Sequence, residues 1–251
     1  MLSWSKKRQL FFIGVALFFL FVVLGIPFLL SLRNTPSCSN RVQDTGERGV
    51  DCGGSCRLLC PSDTIPPLVQ FVRPVAVEQG LWGAVAYVEN KNVAEARNVP
   101  YLFKLYDANN LLLYERHGSA YIPPRKVFAI FEGRMITGGR IPTRAIFEFE
   151  SAPRFESAEE EPILEVRNKR FSTLEGVSRL EAELANPTLS SYGDIDVTAL
   201  LFDEDGTVFA ASATNIPSLV AKGRIPVFFT WPEIRKTPAR FEILYVVSDS
   251  R

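Results

Sequence analysis

An all-β fold, two tandem immunoglobulin-like β-sandwiches preceded by one transmembrane helix and a small disulfide-rich segment, is predicted by three observations. Apolar residues after residue 67 recur with a period of two, which is typical of half-buried strands. Residues that end apolar runs in one half of the chain have counterparts in the other half, at a separation of 96 residues. The apolar excess is concentrated near the N-terminus, where residues 10–32 carry no charge.

The composition limits the function classes. The 251 residues are 47% apolar and 22% charged, as in an ordinary folding chain. The 28 basic and 28 acidic residues cancel, so there is no net positive charge to attract nucleic acid. One His and two Met argue against histidine-rich metal sites and methionine-lined grooves. Nucleic acid is therefore not an expected partner.

The first predicted element is a transmembrane helix at residues 10–32, after a cytoplasmic N-terminus at residues 1–9. At roughly 1.5 Å per residue this helix is about 34 Å long, enough to cross a hydrocarbon core of about 30 Å. The basic residues Lys6, Lys7 and Arg8 directly precede it and favour a cytoplasmic N-terminus. We therefore expect a single-pass protein of the plasma membrane, with the lipid bilayer as partner and the C-terminal domains extracytoplasmic.

A cleaved signal peptide is the competing interpretation of this segment. Its apolar region would be about 7–15 residues long and would be followed by a small-x-small cleavage site. The apolar run here is longer, and residues 31–34 read Ser-Leu-Arg-Asn. Pro27 near the far end is compatible with a membrane helix, because neighbouring groups or a local kink can satisfy the backbone. An uncleaved anchor is the expectation.

The second predicted element is a cysteine-rich segment at residues 38–60, which contains all four cysteines. In an oxidising compartment two disulfides are expected, with three possible pairings. The segment is too short to build a hydrophobic core, so crosslinks would hold its shape. A four-thiolate zinc site is the alternative, but structural zinc prefers two close pairs of cysteines. The expected disulfide cysteines are Cys38, Cys52, Cys56 and Cys60.

This segment resembles a short cysteine-glycine module that recurs in bacterial surface proteins. The matching residues are Asn40, Val42, Gln43, Asp44, Glu47, Gly49, Asp51, Cys52, Gly53, Gly54 and Cys56. The segment departs from the pattern at Arg41, where glycine is usual, and by one extra residue before Cys60. Four oxygen-bearing residues of the module suit a hard cation such as Ca²⁺, and the alternative is that they cap turns. These calcium candidates are Asn40, Asp44, Glu47 and Asp51.

The remaining chain repeats one β unit. Asn90 and Asn186 each end an apolar run, and Asp107 and Asp203 each end another. Both pairs are separated by 96 residues, as are Pro142 with Pro238 and Arg144 with Arg240. Units of this size with short, regularly punctuated strands fit a β-sandwich of immunoglobulin-like type, with a small barrel as the alternative. The predicted boundaries are a linker at 61–67, a first sandwich at 68–153, an acidic linker at 154–162 and a second sandwich at 163–251.

The repeated unit resembles the FxLYD family of small extracytoplasmic β-sandwich domains of prokaryotes. The first copy carries Asn90, Phe103-Lys-Leu-Tyr-Asp107 and Ile122-Pro-Pro124. The second carries Asn186, Leu200-Leu-Phe-Asp203 and Val227–Pro232, with Phe202 replacing the tyrosine. The resemblance implies a fold and an extracytoplasmic location, and no catalytic residues come with it.

Candidate catalytic groups are few. His117, the only histidine, is expected in a surface loop beside Gly118, and Asp107 and Asp203 are expected to cap turns. We therefore predict a non-catalytic envelope protein, a scaffold or adhesion module that binds a protein or an envelope polymer. One alternative is an accessory subunit of a secretion or pilus-like complex. A carboxylate- or metal-dependent hydrolase is another.

Overall fold

The computed structural model describes residues 4–31, 37–78, 80–158, 162–231, 234 and 236–250. It divides the chain into two compact units, Met1–Cys56 and Arg57–Arg251. The predicted all-β class is confirmed, because among the described residues α-helix occurs only in the N-terminal apolar segment.

The N-terminal segment forms two α-helices, α1 (Trp4–Leu20) and α2 (Ile26–Ser31), joined by a π-helical turn at Phe21–Gly25. The stretch Arg8–Phe28 is long and apolar enough to cross a membrane. It agrees with most of the predicted span at 10–32, of which Leu32 lies outside the described residues.

The π-helical turn has a local cause in the sequence. Pro27 has no N–H, and its ring clashes with the carbonyl four residues earlier in a regular α-helix. The π-helical turn ends at Gly25, two residues before Pro27, and the N–H of Ile26 donates to the carbonyl of Phe21. A Cβ at Gly25 would lie 2.7 Å from the Phe21 ring, so the glycine makes room for that ring.

The cysteine-rich segment is built from turns rather than regular strands. Cys38 and Cys56 form a disulfide with a Cα–Cα distance of 5.6 Å. Cys52 and Cys60 are also disulfide-bonded, so none of the four cysteines is free. The two predicted disulfides are confirmed, and the zinc alternative is excluded because the sulfurs are already bonded to each other.

The first sandwich has two antiparallel sheets, β1-β2-β5 and β4-β3-β6, with a short strand β7 also paired to β3. A 3₁₀ turn, Pro61–Asp63, precedes it within the predicted linker. The strands are β1 (Leu68–Glu78), β2 (Leu81–Glu89), β3 (Ala94–Tyr106), β4 (Leu112–Ile122), β5 (Val127–Ile136), β6 (Arg144–Phe149) and β7 (Phe155–Ser157).

The second sandwich has the same strand order, in sheets β12-β9-β8 and β11-β10-β13. Its strands are β8 (Glu165–Leu174), β9 (Val177–Ala185), β10 (Tyr192–Phe202), β11 (Val208–Leu219), β12 (Arg224–Trp231) and β13 (Arg240–Ser250). Strand β9 begins and ends 96 residues after β2. Each half has two separate sheets, so the structure is a pair of sandwiches and not a pair of barrels.

Each sandwich has its own core, built as the alternation predicts. In the second sandwich Leu180 and Leu184 of β9 are fully buried, and Ile195 and Val197 of β10 face them across the core. In the first, Phe103 and Phe128 occupy the equivalent space between the sheets.

A third apolar cluster packs the two sandwiches against each other. Val75 and Val85 lie on the outer face of the β1-β2-β5 sheet, and Leu200 and Phe202 lie on the outer face of the β11-β10-β13 sheet. All four are at most 2% exposed. The two sandwiches therefore share a face-to-face apolar contact.

Two sequence expectations need revision. The predicted acidic linker, 154–162, contains strand β7, and Phe155 is buried in the first core. Residues 159–161 of this linker lie outside the described residues.

His117 was expected in a loop, but it lies within β4 and pairs with Leu102. The loop was predicted because Gly118 follows His117, but a glycine inside a strand can also mark close contact with a neighbouring side chain.

Candidate functional site

Asp51 and Asn40, two of the calcium candidates, organise the backbone of the cysteine-rich segment. Asp51 accepts the N–H of Asn40 at 2.9 Å with one carboxylate oxygen, and the N–H of Arg41 at 2.8 Å with the other. The Asn40 side-chain oxygen accepts the N–H of Val42 at 2.8 Å. These contacts are turn caps.

Asp44 and Glu47, the other two candidates, are engaged in the same way. Asp44 Oδ2 accepts from the backbone N–H of Ser37 and from Asn40 Nδ2, both at 2.8 Å. Glu47 Oε2 accepts the N–H groups of Asp44 and Asp51, each at 3.1 Å. The capping alternative therefore accounts for the positions of all four side chains, and calcium binding here stays a prediction.

Glu47 also lies beside a disulfide. Its Oε1 is 3.1 Å from Cys56 Sγ, and Cys38, Glu47 and Cys56 place potential ligand atoms within 4.8 Å of one another. Both sulfurs belong to one disulfide, and the thiolate is the form that ligates a metal. This group is consequently not a metal site.

Asp107 and Asp203 cap separate hairpins, one in each sandwich. Asp107 Oδ1 accepts the N–H groups of Asn109 and Leu111, both at 2.9 Å. Asp203 Oδ1 accepts the N–H of Thr207 at 2.8 Å. These backbone donors help to lower the pKa of Asp107, and an ion pair with Lys236 is the main cause of the lowered pKa of Asp203. The two carboxylates form no catalytic pair.

His117 is a surface residue, as predicted, although in a strand. Its side chain is 63% exposed, and Nδ1 lies 3.0 Å from Glu150 Oε1. Among the residues that the structure describes, Glu150 is the hydrogen-bond partner of His117, and Asp107 and Asp203 make their hydrogen bonds elsewhere.

One candidate site is a cleft of about 620 Å³ between the two sandwiches. This volume is within the range of ligand pockets, about 300–1,000 Å³, and clefts between domains are common binding sites. One wall comes from β3, β4 and β5, and the other from β10, β11 and β13.

The second-sandwich wall carries two carboxylates that share one amide. Asn215 Nδ2 donates to Asp194 Oδ1 at 2.9 Å and to Asp196 Oδ1 at 2.8 Å. Burial, reinforced by the negative charge of Asp194, raises the pKa of Asp196. Thr198, two residues further along β10, lines the same cleft and is 5% exposed.

The first-sandwich wall is a hydrogen-bonded network. Arg97 forms an ion pair with the buried Glu95 at 2.8 Å. The Tyr101 hydroxyl donates to Glu132 at 2.7 Å, and burial raises the pKa of this phenol well above its usual range. A Cβ at Gly118 would lie 2.4 Å from the Tyr101 ring, so the glycine allows that ring to cross β4.

In the sequence, Asp194, Asp196 and Thr198 alternate with apolar residues, which indicates only that they share one face of a strand. The missed signal was the end of that strand, where four consecutive apolar residues, Ala199–Phe202, follow the alternation. A run of this kind indicates burial on both faces, so the polar residues just before it lie at the border of an interface.

Comparisons with known proteins give neither a family nor a function. No family model and no curated protein matches this chain. Among solved structures, it is similar to a red sea bream transglutaminase (TM-score 0.21, 13% identity, 71% of this chain and 29% of that chain). It is also similar to a Bacteroides uniformis β-glucuronidase (TM-score 0.24, 12% identity, 61% and 22%). A third is a β-glucuronidase from glycoside hydrolase family 2 (TM-score 0.23, 12% identity, 86% and 27%). The chain thus spans less than a third of the length of each of these structures.

Proposed function

We propose that this chain is a non-catalytic, single-pass membrane protein of a prokaryotic cell envelope, which displays two β-sandwiches outside the cytoplasm as a scaffold or interaction module. The observation that carries the proposal is the order of two segments. An apolar helix long enough to cross a membrane, Arg8–Phe28, is followed directly by a segment whose four cysteines are all disulfide-bonded.

Redox chemistry supports the orientation. Disulfides persist in oxidising compartments and are rare in the cytosol, so residues that follow the helix belong outside the cytoplasm. Arg8, at the other end, belongs to the basic cluster that favours retention of the N-terminus in the cytoplasm.

The two sandwiches are proposed to be copies of one unit that resembles the FxLYD domain. Asn90 and Asn186 support this, because each donates from Nδ2 to two backbone carbonyls, one about four and one more than thirty residues further along the chain. Each sandwich also has an ion pair at the same place, Asp107–Arg140 in the first and Asp203–Lys236 in the second. The two aspartates are 96 residues apart, and so are the two basic residues. These landmark residues support the fold, and an interaction surface must be sought elsewhere.

Topology and processing test the anchored arrangement together. With alkaline phosphatase fused after Arg251 in a bacterial host, we expect activity and a membrane-bound product resistant to alkaline carbonate. The intact mass should include the N-terminal helix. A fusion that lacks residues 1–36 is the matched control and should be inactive. An active soluble product with a mass that begins after the helix would contradict the anchor.

The non-catalytic part of the proposal has a separate test. Glycan and peptide substrates should not be turned over by the purified chain, and turnover that is lost in Asp107→Asn would overturn this part. A pull-down from detergent extracts addresses the partner, since a stoichiometric complex with a secretion or pilus component would favour the accessory-subunit alternative.

A further inference from the structure

We propose that Cys38 is the sulfur at which a thiol of another molecule attacks the Cys38–Cys56 disulfide, and that Glu47 slows the departure of Cys56. The co-reactant is an external thiol, which exchanges with the disulfide without a metal or a cofactor. Cys38 is thus a modification site of the cysteine-rich segment, in addition to the proposed scaffold role of the chain.

The two sulfurs of this disulfide differ in accessibility. Cys38 is exposed, whereas Cys56 is only 5% exposed. In disulfide exchange a thiolate must reach one sulfur of the bond, and the other sulfur leaves. Attack is therefore directed at Cys38, and Cys56 is the leaving group. Cys52 and Cys60 are 8% and 5% exposed, so they are protected from attack in the same way as Cys56.

Glu47 holds a carboxylate against the buried sulfur. Its Oε1 lies 3.1 Å from Cys56 Sγ. Its Oε2 accepts the backbone N–H groups of Asp44 and Asp51, each at 3.1 Å. Because two backbone donors hold one oxygen, the carboxylate is fixed and stays beside Cys56 when that sulfur becomes negatively charged.

Gly54 allows the chain to bring Cys56 and Glu47 together. It has a positive φ of 61°, and a Cβ at this position would overlap the carbonyl oxygen of Gly46. The N–H of Ser55 donates to the same carbonyl at 3.1 Å. The backbone before Cys56 therefore lies directly against the backbone before Glu47, which only a glycine at position 54 permits.

The exchange proceeds in two steps. An external thiolate attacks Cys38 Sγ, a bond between the two sulfurs forms, and the Cys38–Cys56 bond breaks. The electron pair leaves on Cys56, which then takes a proton from water. A second external thiolate attacks the external sulfur of the mixed disulfide, so that Cys38 leaves and takes a proton in turn. Two external thiols are thereby oxidised to one disulfide, and the Cys38–Cys56 disulfide is reduced to two thiols.

Glu47 acts on the first of these steps. That step places negative charge on Cys56 beside a carboxylate, and a nearby like charge disfavours the charged form of a group. A thiol that is harder to ionise is also a slower leaving group. The segment therefore presents an accessible sulfur at Cys38 whose exchange is restrained by the charge of Glu47.

A short pulse of glutathione tests the point of attack in the full oxidised chain in detergent. Free thiols are then blocked with N-ethylmaleimide, and the chain is digested with trypsin. Cleavage after Arg41 and Arg48 places Cys38 and Cys56 on different peptides. We expect the first glutathione adduct at Cys38 and the first blocked thiol at Cys56. A first adduct at Cys56, or at either of the other two cysteines, would overturn the proposal.

Glu47→Gln tests the effect of the charge. The glutamine oxygen can still accept the two backbone N–H groups, but the side chain is neutral, so the first adduct should form about three- to tenfold faster. Glu204→Gln, which removes one charge from an exposed turn, should react as the parent does. Equal rates in the two variants, or simultaneous reaction of all four cysteines in Glu47→Gln, would contradict this role of Glu47. The position of the adduct in the parent depends on neither variant.

Discussion

At the residue scale, the polar residues that recur in the two sandwiches make the same kinds of contact in each. Asn90 directly follows β2, is 1% exposed and joins the start of β3 to the loop after β4 through the carbonyls of Ala94 and Pro123. Arg144 stacks on Tyr106 at 4.8 Å and Arg240 on Phe202 at 3.6 Å. The replacement of tyrosine by phenylalanine in the second half therefore keeps the aromatic face that the arginine needs.

Truncation of the buried asparagines should destabilise both sandwiches. Asn90→Ala leaves the carbonyls of Ala94 and Pro123 without this donor, and a buried unsatisfied group costs about 1–3 kcal/mol. Asn186→Ala should have a similar effect on the second sandwich. Thermal denaturation followed by circular dichroism measures both, with Asn109→Ala in an exposed turn as control. An effect no larger than that of the control would contradict this role.

The pH dependence of Asp196 has an unusual sign. Because its pKa is raised in the folded state, the folded chain holds this proton at pH values where the unfolded chain has lost it. Ionisation therefore lowers stability as pH rises above the unfolded value of 3.8. Asp196→Asn, which still accepts a hydrogen bond from Asn215, should raise the unfolding midpoint at about pH 7, and the gain should vanish near about pH 3.

Asp203 provides the opposite case as a comparison. The pKa of Asp203 is lowered in the folded state, chiefly by Lys236. Its contribution to stability is therefore present above the pKa of the unfolded state and is lost as the pH falls through the pKa of the folded state. Asp203→Asn should therefore lower the midpoint at neutral pH. If the two variants change stability in the same direction at about pH 7, the assigned causes are wrong.

At the element scale, the packing of β3 against β4 requires a large residue on one strand to face a glycine on the other. Tyr101 of β3 lies opposite Gly118 of β4, and its ring occupies the space that a side chain at 118 would fill. The ring is thereby held so that its hydroxyl reaches Glu132 of β5. One glycine thus lets a single side chain connect both sheets of the first sandwich.

Gly118→Ala should break this connection. The added methyl group would meet the Tyr101 ring at 2.4 Å, and overpacking of this kind costs about 1–3 kcal/mol. Displacement of the ring should also bring the pKa of Tyr101 back toward its usual range, which an ultraviolet alkaline titration measures. Gly133→Ala is the matched control, since its methyl would find an ordinary 3.4 Å contact with Phe131. An unchanged tyrosine titration in Gly118→Ala would contradict the prediction.

At the scale of the whole unit Arg57–Arg251, the contact between sandwiches matters as much as either core. Val75, Val85, Leu200 and Phe202 exclude water between the outer faces of two sheets, and Tyr87 donates a hydrogen bond to Glu242 across the same boundary at 2.9 Å. Burial and this carboxylate raise the pKa of Tyr87 to about 12. The phenol should therefore stay protonated, and the contact intact, well above the pH at which a free tyrosine ionises.

Two adjacent leucines separate core stability from coupling between the sandwiches. Leu200 packs between the sandwiches and Leu201 packs inside the second one, and both are fully buried. Truncation of either to alanine should cost about 2–5 kcal/mol. Only Leu200→Ala should split a single calorimetric unfolding transition into two, because it weakens the shared face. One transition in Leu200→Ala, or two in Leu201→Ala, would contradict this assignment.

Local chemistry in the sequence determined the elements of this protein. The uncharged run after Arg8, the alternation of Leu180, Ala182 and Leu184, and the hairpin turns after Asp107 and Asp203 each depend on near neighbours in the chain, so periodicity and turn chemistry were sufficient to predict them. The close spacing of the cysteines likewise predicted crosslinks, although not their pairing.

Only the tertiary structure decided which outer faces of the sheets meet. Whether Asp196 and Thr198 face water or a second sandwich depends on the packing of β10 against residues about a hundred positions away, and period-two alternation is the same in both cases. The cleft was therefore not predictable from the strands that line it. It exists because two sheets that are distant in the sequence pack against each other through their outer faces.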